Sequence, residues 1–86
     1  MRSVYVLQHN VTREIYIGKT NNFARRLSEH NHGEQTSTKR KSVEWVPVYI
    51  EIYRSKQDAS TRELRLKHHG RAKQELLKRI ALSLLS

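Results

Sequence analysis

The sequence contains no cysteine, one proline, three glycines and no long apolar run. The lack of cysteine excludes disulfides, thiolate zinc sites and cysteine nucleophiles. Without a run of roughly 18 apolar residues no membrane span is predicted. The N-terminus also has no secretory apolar segment. We therefore expect a cytoplasmic protein with no membrane partner, and its 86 residues predict one compact domain over residues 1–86.

Acidic residues are also few. Seventeen Lys and Arg stand against eight Asp and Glu, which leaves a net charge of +9. Such an excess favours a polyanionic partner, because each neutralised phosphate releases condensed counterions. The charge is spread over several predicted elements rather than confined to a tail, which favours nucleic acid over an incidentally basic composition. Charge alone does not separate DNA from RNA, or binding from cutting.

The N-terminal third has the pattern of a β-hairpin. Residues 3–7 and 14–18 are rich in β-branched and aromatic side chains, and polar residues 9–12 separate them. If the turn centres on residues 10–11, Tyr5 lies opposite Tyr16. Period-two alternation then places both rings on one face of the sheet.

A helix is predicted next, over residues 22–30, with Thr20 or Asn21 as its N-cap. Residues 32–44 have no apolar period and predict a basic surface loop. The inward stripe of the helix is formed by Phe23, Leu27 and Asn31. The basic run of the loop is Lys39, Arg40 and Lys41.

A third strand is predicted over residues 45–53, and two helices follow over residues 55–69 and 71–84, with Ser55 as the cap of the first. The strand alternates, and it places Val46, Val48, Ile50 and Ile52 on one face and Trp45, Tyr49, Glu51 and Tyr53 on the other. The predicted order is ββαβαα. The predicted class is α/β of the α+β type, a three-stranded antiparallel sheet flanked by helices.

Several polar residues occupy positions that packing alone does not explain. Arg26 and His30 are one helical turn apart and project from the same side of the first helix. Glu63 falls on the helix face predicted to meet the sheet, where an isolated carboxylate is costly unless it is paired, protonated or bound to a cation. Tyr16 is followed closely by Gly18, where a backbone without Cβ permits a close approach.

Each of these positions also has a purely structural interpretation. Glu63 could form an ion pair with a basic neighbour, the candidates being Arg62, Lys67 and Arg26. His30 could be favoured by the C-terminal end of a helix dipole. Tyr5 and Tyr16 could be ordinary cross-strand packing, and the basic loop a solvated segment.

Together, however, the pattern resembles the GIY-YIG (URI) nuclease superfamily. The residues that carry the resemblance are Ser3-Val4-Tyr5, Tyr16-Ile17-Gly18, the helical Arg26 and His30, and the downstream Arg62-Glu63. The family includes the incision domain of an excision-repair enzyme, homing endonucleases, restriction enzymes and small stand-alone bacterial proteins. The resemblance covers nearly the whole chain.

The resemblance implies a role for each matching position. Tyr5 and Tyr16 would be paired active-site tyrosines, one of them close to the attacking water and a candidate general base. Arg26 would hold the scissile phosphate, His30 would orient or share a proton with the water or a tyrosine, and Glu63 would bind one Mg²⁺ or Mn²⁺. The predicted substrate-binding residues are Gly18, Lys19, Lys39, Arg40, Lys41, Lys67, Arg71 and Lys73.

Two positions depart from the family pattern. Ser3 stands where the first glycine of the leading motif is expected, and no asparagine follows Glu63, where many members have one. The leading hypothesis is a monomeric, metal-dependent endonuclease acting on nucleic acid, with DNA favoured over RNA. The alternative is a basic binding module of the same fold that cuts slowly or not at all. A third hypothesis, a plain interaction protein, uses the C-terminal residues Leu82, Leu84 and Leu85.

Overall fold

The computed structural model of the chain describes residues 1–36 and 43–85. The elements are β1 (Arg2–His9), β2 (Ile15–Thr20), α1 (Phe23–Thr36), β3 (Trp45–Tyr53), α2 (Lys56–His68) and α3 (Gly70–Arg79), with a short 3₁₀ turn at Ala81–Ser83. The predicted order ββαβαα and the α+β class are confirmed. In the described ranges no helix combines the length and apolarity that crossing a membrane requires.

The sheet is antiparallel in the order β2-β1-β3, so β1 is central and β2 is an edge strand. Its central position explains why β1 is buried from its third residue to its end. One face of β1 presents Val4 and Val6 to the main core, whose other members are Ile17, Ala59, Leu66, Leu76 and Ile80. Helices α2 and α3 therefore cover that face. The opposite face presents Tyr5, which packs against Phe23 of α1.

The hairpin differs from the predicted register by two residues. Tyr5 is opposite Gly18, and Tyr16 is opposite Leu7, because the loop between His9 and Glu14 contains four residues rather than two. His9 accounts for the longer loop, since its Nδ1 accepts hydrogen bonds from the backbone N–H groups of Val11 and Thr12 at 3.2 and 3.1 Å. An even shift preserves the face of every side chain. The prediction that Tyr5 and Tyr16 share a face is therefore correct, and that of their direct opposition is wrong.

Helix α1 begins one residue later and ends six residues later than predicted. Asn22 is its N-cap, since Asn22 Oδ1 accepts from the backbone N–H of Arg25 at 3.1 Å. The helix continues past Gly33 to Thr36, so the predicted loop is wrong over that stretch. Asn31 helps to hold the second half, because its Oδ1 accepts from the Trp45 N–H at 2.7 Å. The predicted basic run, Lys39, Arg40 and Lys41, lies outside the described residues.

Strand β3 has the predicted bounds but not the predicted alternation. Val6 pairs with Tyr49 while Leu7 pairs with Pro47, so Val48 is the extra residue of a β-bulge. The bulge reverses the faces of the residues before it. Trp45 consequently lies on the Tyr5 side of the sheet and not with Tyr49, as the simple alternation had implied.

The C-terminal helices confirm one predicted cap and correct one boundary. Ser55 caps α2, with its side chain accepting from the Asp58 N–H at 3.2 Å. The chain turns at His69, in an extended conformation, and Gly70 is already the first residue of α3. The last helix ends at Arg79 rather than near residue 84. In the predicted C-terminal patch Leu82 is fully exposed, whereas Leu84 and Leu85 are partly buried.

Candidate active site

Four side chains from three elements form an aromatic cluster on the Tyr5 face of the sheet. We define this aromatic cluster as Tyr5, Tyr16, Phe23 and His30. The Tyr5 ring centroid lies 6.2 Å from that of Tyr16 and 5.4 Å from that of Phe23. The His30 ring stands edge-on to Tyr16 at 4.6 Å. The hairpin and α1 thus bring together three of the residues predicted from the sequence.

Gly18 lets the Tyr5 side chain reach the edge of the sheet. A Cβ at this position would lie 2.5 Å from Tyr5 Oη and 2.7 Å from Tyr5 Cζ. The ring therefore crosses directly over the backbone of the edge strand β2, and its hydroxyl points to the border of the fold. A residue without Cβ is required here by this close approach, which matches the reason for which Gly18 was singled out.

Two polar atoms of the aromatic cluster are buried without a partner. Tyr5 Oη and His30 Nε2 are shielded from solvent, and neither forms a well-aligned hydrogen bond with a described residue, although Arg26 and Tyr16 lie close enough to Tyr5 Oη to shift its pKa. Such atoms are uncommon in native proteins because each forfeits its bonds to water. Burial also raises the pKa of Tyr5 above its ordinary value of 10.0, although the Arg26 guanidinium opposes that shift. Burial first, and then the positive charge of Arg26, lower the pKa of His30 below 6.5.

Arg26 joins the aromatic cluster to solvent. Its guanidinium is exposed. The neighbouring Tyr5 hydroxyl, and to a smaller extent the Tyr16 hydroxyl, raise the pKa of Arg26. The ion pair with Glu29, at 3.4 Å, is between exposed side chains and is therefore weak. Arg26 also borders a shallow hollow with Glu29 and His30. The arrangement leaves a fixed cation facing outward, directly over two phenolic hydroxyls and an imidazole.

Glu63 lies on a different side of the sheet from the rings. It follows the buried Ala59 by one helical turn and precedes the buried Leu66, so its side chain points from α2 toward the Val4 and Val6 face. It is nearly buried, and its carboxylate forms an ion pair with Lys67 Nζ at 3.3 Å. The first half of α2 packs along β2, where Lys19 Nζ donates to Ser60 Oγ at 2.7 Å. Both α2 and the Tyr5 hydroxyl therefore lie next to residues 18–19 of β2.

A basic cleft opens at the same end of the sheet. Its volume is about 210 Å³, and it is lined by Arg2, Lys19, Thr20, Asn21, Arg25, Arg26, Lys56 and Ala59. Lys19 and Arg26 were predicted from the sequence as functional residues. Arg2, Arg25 and Lys56 were not, because they belong to three separate elements and only the folded chain brings them together.

A comparison with protein-family models gives the identity of this arrangement. The model described as the GIY-YIG catalytic domain matches residues 1–76 of the 86-residue chain. The chain belongs to the GIY-YIG family. A search of curated proteins and a search of solved structures each found no significant match. The family is that of a nuclease-type domain, so its substrate is nucleic acid.

Three other predicted substrate-binding residues of the GIY-YIG domain, Lys67, Arg71 and Lys73, do not line the cleft. Lys67 is engaged with Glu63, and Arg71 forms an exposed pair with Glu75 at 3.2 Å. Lys73 is partly buried on α3. Their proposed contact with substrate stays a prediction, as does that of Lys39, Arg40 and Lys41, which are outside the described ranges.

Sequence reasoning missed one buried ion pair that orients α2 of the GIY-YIG domain. The Arg62 guanidinium donates to both oxygens of Glu51, through Nε at 3.0 Å and Nη2 at 3.0 Å. Tyr49 and Tyr53 donate their hydroxyls to the same carboxylate. Burial raises the pKa of Glu51, but the hydrogen bonds from Arg62, Tyr49 and Tyr53 outweigh it and hold that pKa below 4.5. Because Arg62 pairs with Glu51, the carboxylate of its neighbour Glu63 is left to Lys67.

The donor set of the GIY-YIG domain limits which metal it suits. In the part of the chain that the structure describes, no three His, Asp or Glu side chains are grouped so as to hold an ion. A single carboxylate is poor for zinc, which takes three or four protein ligands. It suits a hard cation that retains most of its water. Glu63 fits that requirement, since Lys67 is partly exposed and on a flexible stem.

Proposed function

We propose that this GIY-YIG domain is a metal-dependent endonuclease that hydrolyses phosphodiester bonds in nucleic acid. The observation that carries the proposal is the convergence of Tyr5, Tyr16 and His30 beneath the exposed guanidinium of Arg26. DNA is favoured over RNA, because the family that the motifs resemble includes DNA-incising and restriction enzymes.

Arg26 has the charge and exposure that recognition of a phosphate requires. Attack on a phosphodiester builds negative charge on the equatorial oxygens, and a planar guanidinium binds two of them at once. The weak partner Glu29 is easily displaced by such a ligand. A phosphate on Arg26 would lie over the two tyrosine hydroxyls, where a water can be held for in-line attack.

The titration behaviour of the cluster assigns different tasks to its members. Tyr5, with its raised pKa, stays protonated at neutral pH and donates a hydrogen bond to the phosphate or the water. His30, with its lowered pKa, is neutral at pH 7 and accepts a proton. The Tyr16 ring stands edge-on to that of His30 at 4.6 Å, and its hydroxyl would pass the proton of the attacking water to His30. The bond from phosphorus to the leaving oxygen breaks as the bond to the water oxygen forms.

Glu63 is the residue that would hold the divalent ion, Mg²⁺ or Mn²⁺. When bound, the ion supplies positive charge for the leaving oxygen. Lys67 would release the carboxylate to the ion. An ion bound by Glu63 of α2 would approach a nucleic-acid strand bound by Arg26 at residues 18–19 of β2. Lys19 already contacts Ser60 of α2 at this edge.

Cleavage by point variants tests the proposal. Wild type, Arg26→Gln and Glu63→Gln are incubated with labelled single-stranded, duplex, nicked and branched substrates, with Mg²⁺, with Mn²⁺ and with chelator. We expect metal-dependent cutting by wild type. Loss of the Arg26 charge should slow single-turnover cutting by about 100-fold or more, and Glu63→Gln should remove the metal-dependent component.

Two matched controls separate these effects from net charge and stability. Arg65→Gln and Glu75→Gln make the same changes at exposed positions of α2 and α3, and both should cut like wild type. Melting temperatures by circular dichroism check that each variant folds. Wild-type rates from Arg26→Gln or from Glu63→Gln would refute the assigned roles.

A second candidate function, binding without cutting, is favoured by one observation. The Glu63 carboxylate is paired with Lys67 and lies on the helix that covers the face away from the aromatic cluster. A domain that used Glu63 only for structure would bind nucleic acid through its basic surface. In that case all five proteins above bind with a steep salt dependence, and none of them cuts with either metal.

A further inference from the structure

The basic cleft has three basic residues that the proposed chemistry does not use. Arg2 is the first residue of β1, Arg25 lies in the first turn of α1, and Lys56 begins α2. None of them forms an ion pair with any residue in the described ranges. Within residues 1–36 and 43–85, each positive charge therefore lines the cleft without a counter-charge.

The lining of the cleft is strongly asymmetric in charge. Five of its eight residues are Lys or Arg and none is acidic. Like charges that surround a cleft of about 210 Å³ repel one another. Binding of an anion there therefore lowers the electrostatic free energy of the folded chain. Arginine offers planar, bidentate donors and lysine a point charge, which together are the usual donors to a phosphate group.

The backbone adds to the same field. Helix α1 starts at Phe23 and helix α2 at Lys56, so both helices begin beside the cleft. A helix N-terminus carries a partial positive charge and free N–H groups. These contributions come from two independent elements and act in addition to the five side chains.

Arg26 connects the cleft to the aromatic cluster, since it lines the one and lies over the other. An anion in the cleft is therefore adjacent to the phosphate that Arg26 holds. We propose that Arg2, Arg25 and Lys56 bind a second phosphate of the nucleic-acid strand, next to the one that is cut. The identification of that neighbour as the scissile phosphate rests on the proposed function, whereas the binding of a phosphate in the cleft does not.

The strand path follows from this placement. The bound nucleic-acid strand would cross the N-terminal ends of α1 and α2, near the C-terminal end of β2. It would not run along the exposed face of α3. Recognition through phosphate alone is independent of base sequence. The cleft therefore adds affinity and positions the strand without selecting a sequence.

A pair of double variants tests the inference. Arg25→Gln/Lys56→Gln removes two charges from the cleft, and Arg65→Gln/Lys78→Gln removes the same two residue types from exposed positions away from it. Binding to a fluorescent 20-nucleotide single strand, and to a duplex of the same length, is measured by anisotropy in chelator over a series of salt concentrations. Because chelator is present, the measurement does not depend on cutting.

Loss of one phosphate contact should lower the slope of log K against log salt by about 0.7 to 0.9. At 0.1 M salt that slope corresponds to a roughly five- to eight-fold rise in Kd for the cleft variant. The control should keep the wild-type slope. Equal changes in both double variants would show only general attraction and would overturn the inference, as would a wild type that binds neither probe.

Cutting assays then separate this inference from the proposed function. If both hold, the cleft variant still cuts in a metal-dependent manner but needs more protein than its control to reach half of its own maximal rate. If wild type never cuts and the cleft variant still binds more weakly than its control, the proposed function fails while the second phosphate site stands.

Discussion

Replacing Gly18 by alanine tests the central geometry of the site. The added Cβ would lie 2.5 Å from Tyr5 Oη, 2.7 Å from Tyr5 Cζ and 2.9 Å from Tyr16 Cε1. Three such contacts cannot coexist with the native ring positions. Tyr5 is only 1% exposed and packs against Phe23, so its ring cannot move aside without disturbing α1.

The expected cost is that of overpacking a well-filled site. Inserting one carbon into such a site costs about 1 to 3 kcal/mol. Each kcal/mol lowers the melting temperature of a domain this small by about 4 to 8 °C, so a loss of about 2 kcal/mol corresponds to roughly 8 to 16 °C. Gly70→Ala is the matched control, because a Cβ there meets nothing within 4 Å. That substitution should leave stability unchanged or raise it by up to about 1 kcal/mol.

Urea unfolding followed by circular dichroism measures both variants, and a double-mutant cycle locates the clash. Tyr5→Phe removes the atom nearest to the new methyl group, so combining it with Gly18→Ala should recover part of the lost stability. The geometry is refuted if Gly18→Ala unfolds within about 0.5 kcal/mol of wild type, the usual limit for a neutral substitution. It is also refuted if the two substitutions are simply additive.

Three further predictions concern titratable groups. Tyr5→Phe alone should be at least as stable in urea as wild type, because it deletes a buried hydroxyl that has no well-aligned partner in the described residues. The same substitution should slow cleavage. A clear loss of stability would contradict this prediction. Because the pKa of His30 lies below 6.5, cleavage should decline only as pH falls below that value, and His30→Gln should remove this limb of the pH–rate profile. Because the folded-state pKa of Glu51 lies below 4.5, the unfolded chain binds the proton first as pH falls. Its contribution to stability is therefore full above pH 4.5 and is lost below it, and acid unfolding of Glu51→Gln should show a shallower dependence on pH.

Local sequence signals predicted most of the fold. The bounds of β3 and the Ser55 cap of α2 were predicted correctly, because β-branched runs and N-cap residues act over a few neighbouring positions. The order of elements and the antiparallel sheet followed from the same signals. Tyr5, Tyr16, Arg26 and His30 lie together, as the family resemblance implied. Glu63, which was expected to join them, lies on the helix that covers the other face of the sheet.

The errors arose where a contact distant in sequence or an unusual side-chain role decided the structure. A histidine that binds two loop N–H groups lengthened the hairpin loop and moved its register. A bulge at Val48 reversed one end of β3, and the bond from Asn31 to Trp45 accompanies a helix that continues past Gly33. The Glu51–Arg62 pair and the basic cleft join residues far apart in the chain, so periodicity cannot reveal them.

The polar side chains on the two faces of the sheet differ in how fully they are hydrogen-bonded, and this difference is relevant to the proposed function. On the α2 side, the partly buried carboxylate of Glu51 receives hydrogen bonds from three different side chains. On the other side, Tyr5 Oη and His30 Nε2 are buried without a partner in the described residues. Each such atom costs about 1 to 3 kcal/mol, against a typical total stability of about 5 to 15 kcal/mol.

Ordinary packing does not account for that cost, because Phe and an apolar residue would fill the same volume without it. Both atoms lie near the exposed guanidinium of Arg26, which is also one of the five Lys and Arg residues that line the cleft. A phosphate bound beside Arg26 would supply a counter-charge to these cations. These observations support the proposal that a phosphodiester of nucleic acid binds at the edge of β2.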